Sequence, residues 1–189
     1  MGKILSYCGL ICLLLIGVCA CASVGTSPAR DSLAKVYTSF IGVNEATGRN
    51  DGKQVEAFQA VTGNRKGDAW CASFVAACLR WSKLTTWRNG NGAARSWFKA
   101  ADVVYDRNVH GVKNFVKLAA KRGNTGSLFY AKLNRIGHIF FIENMSRDGQ
   151  YVITVEGNTN NGLSREGDGV YSLRRRVRNI YSVSDHVKK

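Results

Sequence analysis

Apolar positions change their period along this chain. In the first two-thirds they recur at helical spacing. Leu33, Val36, Tyr37, Phe40 and Ile41 form one face, behind Asp31 or Ser32 as N-cap, and Val55, Phe58 and Val61 form a second, shorter one. A third helix opens after Gly67 and Asp68, with Asp68 as its N-cap, and carries Phe74, Val75, Cys78 and Leu79 on one side. Further helices are expected over 93–101 and 109–121, the latter with Val112, Phe115, Val116 and Ala119 inward. A short strand fits 103–105. From Ser127 the period becomes two, and strands are expected over 127–130, 138–144, 151–156, 169–177 and 180–183. Gly157 and Gly162 fall at turns. Helices first and an antiparallel sheet second make an α+β domain.

The first 22 residues follow another pattern. Lys3 precedes an apolar run from Leu10 to Val18 and then small residues to Ala22. This reads as an export signal, too short for a comfortable membrane span. Ala20-Cys21-Ala22 fits a cleavage site that leaves Ser23 first. Val18-Cys19-Ala20-Cys21 equally resembles a lipoprotein signal, with Cys21 lipidated and anchoring the protein to a membrane. Residues 23–30, with Pro28, read as a tether, and 31–189 as one domain.

Export changes how the cysteines are read. Four of the six lie in the signal region, leaving Cys71 and Cys78. Seven helical residues separate these two by about 10 Å, beyond disulfide reach. A disulfide scaffold is excluded, and no histidine or cysteine spacing suits a metal. The net charge of +14 points to polyanions, and for an exported protein to an anionic cell envelope. Arg174, Arg176 and Arg178 alternate as a basic stripe. Affinity of such a surface for nucleic acid would be unspecific.

Cys71 has further chemistry to offer. It sits in the first turn of its helix, where unpaired N–H groups and the helix dipole favour a thiolate. A five-residue turn over 145–149 would set Asn144 opposite Gln150 and His138 opposite Glu156, with the latter pair about 5 Å apart at Cβ. A slip of one residue would separate them onto opposite faces. Nucleophile, base and orienting carboxylate are the parts of a cysteine hydrolase, and Asn158 could assist or replace Glu156. His110 and His186 lack comparable neighbours and read as surface. Of the tryptophans, Trp81 reads as core. Trp70, next to the cysteine, and Trp97 are candidates to line a substrate groove, and Trp87 could also stack on substrate.

Trp70-Cys71-Ala72-Ser73-Phe74-Val75, Ser96-Trp97, Gly137-His138-Ile139 and Val155-Glu156-Gly157-Asn158-Thr159 occur in an order that resembles the CHAP family, cysteine, histidine-dependent amidohydrolases/peptidases. The resemblance spans about 43–183. It implies a papain-like fold with the nucleophile helix packed on a C-terminal sheet, and cleavage of amide bonds in peptidoglycan without a cofactor. Cys71 then matches the nucleophile, His138 the base, and Glu156 or Asn158 the third polar residue. The protein is expected to be monomeric. The bond cut could be the muramoyl–alanine amide or one within the peptides. A non-catalytic cationic envelope-binding module on the same fold is the rival reading. The chain departs from the family in having Gly123-Asn124-Thr125-Gly126 where many members place a Pro-Gly-Asp turn. The 109–121 segment looks like an insertion.

Overall fold

A computed structural model describes residues 27–84, 91–160 and 167–187. The expected export signal with Cys21, the start of the expected tether, Trp87 and Gly162 lie outside the described residues. The order is three helices, a short edge strand, two small helices and then the rest of a six-stranded antiparallel sheet. This is the α+β arrangement expected.

Helix α1 (Pro28–Thr38) starts earlier than Asp31. Ser27 is its N-cap, accepting the N–H of Arg30, and Pro28 occupies the first turn, where its missing N–H costs nothing. Residues 28–30 are therefore helix, and Arg30 is buried. Its guanidinium pairs with Asp185 and donates to Asn124 Oδ1 (2.9 Å) and Arg122 O (2.8 Å). α1 is thereby tied to the far end of the chain.

Helix α2 (Lys53–Val61) turns Val55 and Phe58 inward. Helix α3 (Cys71–Trp81) is buried from Cys71 through Leu79, because α1, α2 and the sheet surround it. Its N-cap is Trp70, with no side-chain cap. Asp68 does not cap α3; its carboxylate accepts the N–H of Arg65 (2.7 Å) in the preceding turn. Trp81 is partly exposed, its ring against Phe40 and Phe58.

Two further helices differ from expectation. Over 93–101 only a 3-10 turn forms, at Ala94–Trp97. The 109–121 helix is broken by Gly111 at φ 68, giving α4 (Arg107–His110) and α5 (Phe115–Ala119). The break rotates the apolar face, so Phe115 and Ala119 are buried while Val112 and Val116 are exposed.

The strands are β1 (Val103–Asp106), β2 (Thr125–Tyr130), β3 (Arg135–Met145), β4 (Tyr151–Thr159), β5 (Gly169–Arg176) and β6 (Ile180–Ser184), in the order β1-β6-β2-β3-β4-β5. Ile139, Phe141 and Val155 face the helices, and Phe140, Ile142 and Val152 face a second core with Tyr105, Phe115 and Ile180.

The β3–β4 register is not the one expected. At the hairpin tip Met145 pairs with Val152 and Asn144 with Ile153; beyond it Ile142 pairs with Thr154 and Phe141 with Val155. The tip register is out by an odd number of residues, which alone would send Glu156 to the face opposite His138. Glu143 is an extra residue between the two registers, a β-bulge, and it turns the odd slip into an even one. Continued, this register sets Phe140, not His138, level with Glu156. His138 and Glu156 still share a face. The Glu143 carboxylate is held by the Tyr37 hydroxyl from α1 and by Arg122.

α3 meets the sheet at Gly157. A Cβ there would lie 2.6 Å from Phe74 Cβ and 2.8 Å from Trp70 Cζ3. Gly157→Ala should therefore push the start of α3 off the sheet and destabilise the protein by about 1–3 kcal/mol. Thermal denaturation checks this, and the variant should also lose Cys71 reactivity.

Candidate active site

β3 and β4 part company where α3 begins. Among the described residues their pairing ends at Phe141–Val155, while β3 stays paired to β2 as far as Arg135 and β4 to β5 as far as Thr159. Ile142 bonds through both its N–H and C=O to the segment leading into β2, Gly123 and Asn124, at 2.8 Å each. By alternation Ile139 turns its N–H the other way, toward the gap. There it donates to the Cys71 sulfur, as does the N–H of Ala72 in the first turn of α3. The opened sheet thus supplies one amide to the thiolate and the helix supplies another.

The His138 ring completes the contact. Its Nε2 lies 2.8 Å from Glu156 Oε2, which leaves Nδ1 for Cys71, with which the ring is hydrogen-bonded. Glu156 has no exposed surface. Its carboxylate also takes a two-point contact from Arg175, with Nε 2.8 Å from Oε1 and Nη2 2.6 Å from Oε2, and the Thr154 hydroxyl donates to Oε1. Half-buried Arg175 and the buried Glu156, His138 and Cys71 form a line of alternating charge.

That line fixes the protonation states. Burial disfavours ionised Glu156, but the Arg175 and His138 contacts outweigh it and hold the carboxyl at about 2. Burial would lower the His138 pKa, yet Cys71 and Glu156 together push it up to about 9. Burial raises the Cys71 thiol, and the His138 hydrogen bond and charge, with the two amides, bring it below its ordinary value. Both shifts favour a thiolate–imidazolium pair, and groups so closely coupled titrate as a unit. Cys78 has burial alone, which pushes its thiol up.

Asn158 points elsewhere. It has φ 54 at an irregularity in the β4–β5 pairing, and its side chain turns from the histidine to the chain entering α3. Its Oδ1 accepts the N–H of Trp70 (3.0 Å) and its Nδ2 donates to Asn50 Oδ1 (2.9 Å). It holds the residue before Cys71 in place and does not orient the ring. Trp70 does not line a groove: it is fully buried, stacked on Phe58 at 5.6 Å, with Nε1 on Glu45 Oε1 (2.9 Å). Trp97 is buried too, its Nε1 donating to Asn91 O (2.9 Å) and its ring against His186. Both indoles found polar partners inside the fold, which removes them from solvent. His110 is half-buried and binds back to Asp106 within its own turn.

Arg175 is the member of this line that sequence reasoning missed. Its signal was the alternation itself: if Arg174 and Arg176 face solvent, Arg175 faces the other way, onto the strand that carries Glu156. The outward Arg174 lies 3.6 Å over the Tyr151 ring. Among the described residues no group of His, Cys, Asp and Glu is placed to hold a metal.

A family model described as CHAP domain matches residues 62–158, a little over half of the chain. No curated protein and no solved structure gives a significant match. The matched segment contains Cys71, His138, Glu156 and Asn158, and stops short of Arg175.

Iodoacetamide should alkylate Cys71 well before Cys78. The rate should stay high below the ordinary thiol range, because the thiolate persists there. Mass mapping of the labelled peptide across pH checks both points.

Proposed function

The chain belongs to the CHAP domain family, whose members are generally hydrolytic amidases or peptidases related to peptidoglycan, and we propose that this one is an exported cysteine hydrolase that cuts amide bonds in peptidoglycan. The observation that carries the proposal is the Arg175–Glu156–His138–Cys71 line, in which half-buried Arg175 backs three buried groups. A purely binding module has no use for three buried ionisable groups whose burial must be offset by one another.

In this reading the Cys71 thiolate attacks the carbonyl carbon of the amide, and the negative charge passes to the carbonyl oxygen. The backbone N–H of Cys71, at the start of α3, is one donor to that oxyanion. His138 gives its proton to the amide nitrogen, the C–N bond breaks, and the amine leaves. A thioester on Cys71 remains. His138, now neutral, takes a proton from water, and the hydroxide displaces the sulfur. Carboxylic acid is released and the thiolate–imidazolium is restored. Glu156 keeps the ring oriented throughout and Arg175 keeps Glu156 ionised. The outward Arg174, Arg176 and Arg178, with the net charge of +14, favour an anionic wall as the surface the enzyme works on.

Mass spectrometry of the products from peptidoglycan treated with the reduced protein tests this and identifies the bond. New amine and carboxyl ends should appear with the wild type and be absent with Cys71→Ser. Unchanged turnover in Cys71→Ser would end the cysteine mechanism. Intact mass of protein from its native envelope tests export: it should begin at Ser23 or carry lipid on Cys21.

Activity should follow the thiolate–imidazolium pair, so its basic limb should lie near pH 9, where His138 loses its proton. The same groups affect stability. His138, raised above its ordinary value, stabilises the fold fully below about pH 6.5 and loses that contribution as pH rises through 9. Glu156, lowered, stabilises it above about pH 4.5 and loses that contribution as pH falls toward 2. Glu156→Gln should move the basic limb down and lower kcat. It should also cost about 3 kcal/mol of stability, because Arg175 is left without its carboxylate. pH–rate profiles and denaturant unfolding of the variant measure the two effects separately.

A further inference from the structure

We propose that Tyr130 is a catalytic residue, its phenol O–H serving with the Cys71 N–H as the second donor to the oxyanion of the scissile amide. This rests on the hydrolase reading and adds the missing half of the oxyanion site. Tyr130 ends β2 and pairs with Arg135 across the hairpin, so its ring falls across Gly137, the residue before His138. The seat depends on the bare glycine: a Cβ at 137 would lie 2.2 Å from Tyr130 Cδ2 and 2.5 Å from Cγ. The side chain is held, yet the residue is 42% exposed, so it faces the open side of the site rather than the core.

Its hydroxyl makes no hydrogen bond among the described residues. The charged groups around it are Cys71 from α3, Glu156 from β4 and Arg175 from β5. Burial and then the Cys71 charge raise the phenol above its ordinary value, Glu156 adds to this and Arg175 opposes it. The phenol therefore keeps its proton at every pH at which the thiolate is active. A phenol O–H seated over Gly137, next to the base that bonds Cys71, is suited to receive the negative charge that leaves sulfur for the carbonyl oxygen. It makes its strongest bond only in the transition state, which is what raises kcat rather than ground-state binding.

The test uses the full protein, with peptidoglycan turnover measured for wild type, Tyr130→Phe and Tyr130→Ala. Tyr130→Phe keeps the ring and removes only the donor. It should lower kcat about 100-fold with little change in KM and an unchanged melting temperature. Alkylation of Cys71 by iodoacetamide forms no oxyanion, so its rate in Tyr130→Phe should stay within about twofold of wild type. Full kcat in Tyr130→Phe would overturn the proposal, and a raised KM confined to Tyr130→Ala would make the ring an apolar wall instead. Absence of turnover by the wild type would overturn the hydrolase reading and the oxyanion role with it, whereas an active wild type with an equally active Tyr130→Phe removes the oxyanion role alone.

Discussion

A carboxylate with no exposed surface has to be neutralised by its neighbours or give up its charge. Glu156 keeps its charge, and the rest of the site follows from how. Arg175 grips both oxygens from β5, Thr154 adds a hydroxyl, and the remaining direction from Oε2 goes to His138. The histidine is thus held by one nitrogen and offers the other to Cys71. Each charge in the line is stabilised by the one before it, and the thiolate is the end of the series.

The line exists only if Glu156 and His138 lie on one face, and that depends on a single extra residue. The hairpin tip has a register of the wrong parity, and the bulge at Glu143 corrects it. Glu143 is itself clamped by Tyr37 and Arg122; burial pushes the Tyr37 phenol up, its bond to Glu143 adds to this, and Arg122 opposes it. Helix α1 therefore holds the bulge residue on which the shared face of His138 and Glu156 depends. The parting of β3 from β4 has the same economy: the amide of Ile139, released from strand pairing, becomes a ligand of the Cys71 sulfur.

Much of this was legible from residue order. The change of period located the helices and strands, helix position marked Cys71, and parity paired His138 with Glu156. The parts that escaped depend on several chain segments at once. A bulge leaves no local mark, so the register came out wrong while the face came out right. Arg175 was hidden inside a basic run whose outward members drew attention. Trp70 and Trp97 look like groove residues until Glu45 and Asn91 are seen to satisfy their indoles. Asn158 shares strand parity with Glu156 in sequence, but a left-handed backbone turns it toward Trp70 instead. Gly111 divided a helix whose apolar spacing was otherwise regular.

On this reading the charge line running from Arg175 through Glu156 keeps His138 protonated against a Cys71 thiolate. Nitrogen-15 NMR of the imidazole reads this directly, since the ring shifts separate imidazolium from the neutral form. In the resting wild type His138 should be an imidazolium at pH 7 and titrate near 9, and in Cys71→Ser its pKa should fall because the thiolate is gone. A neutral His138 at pH 7, or a titration unaffected by Cys71→Ser, would contradict the account.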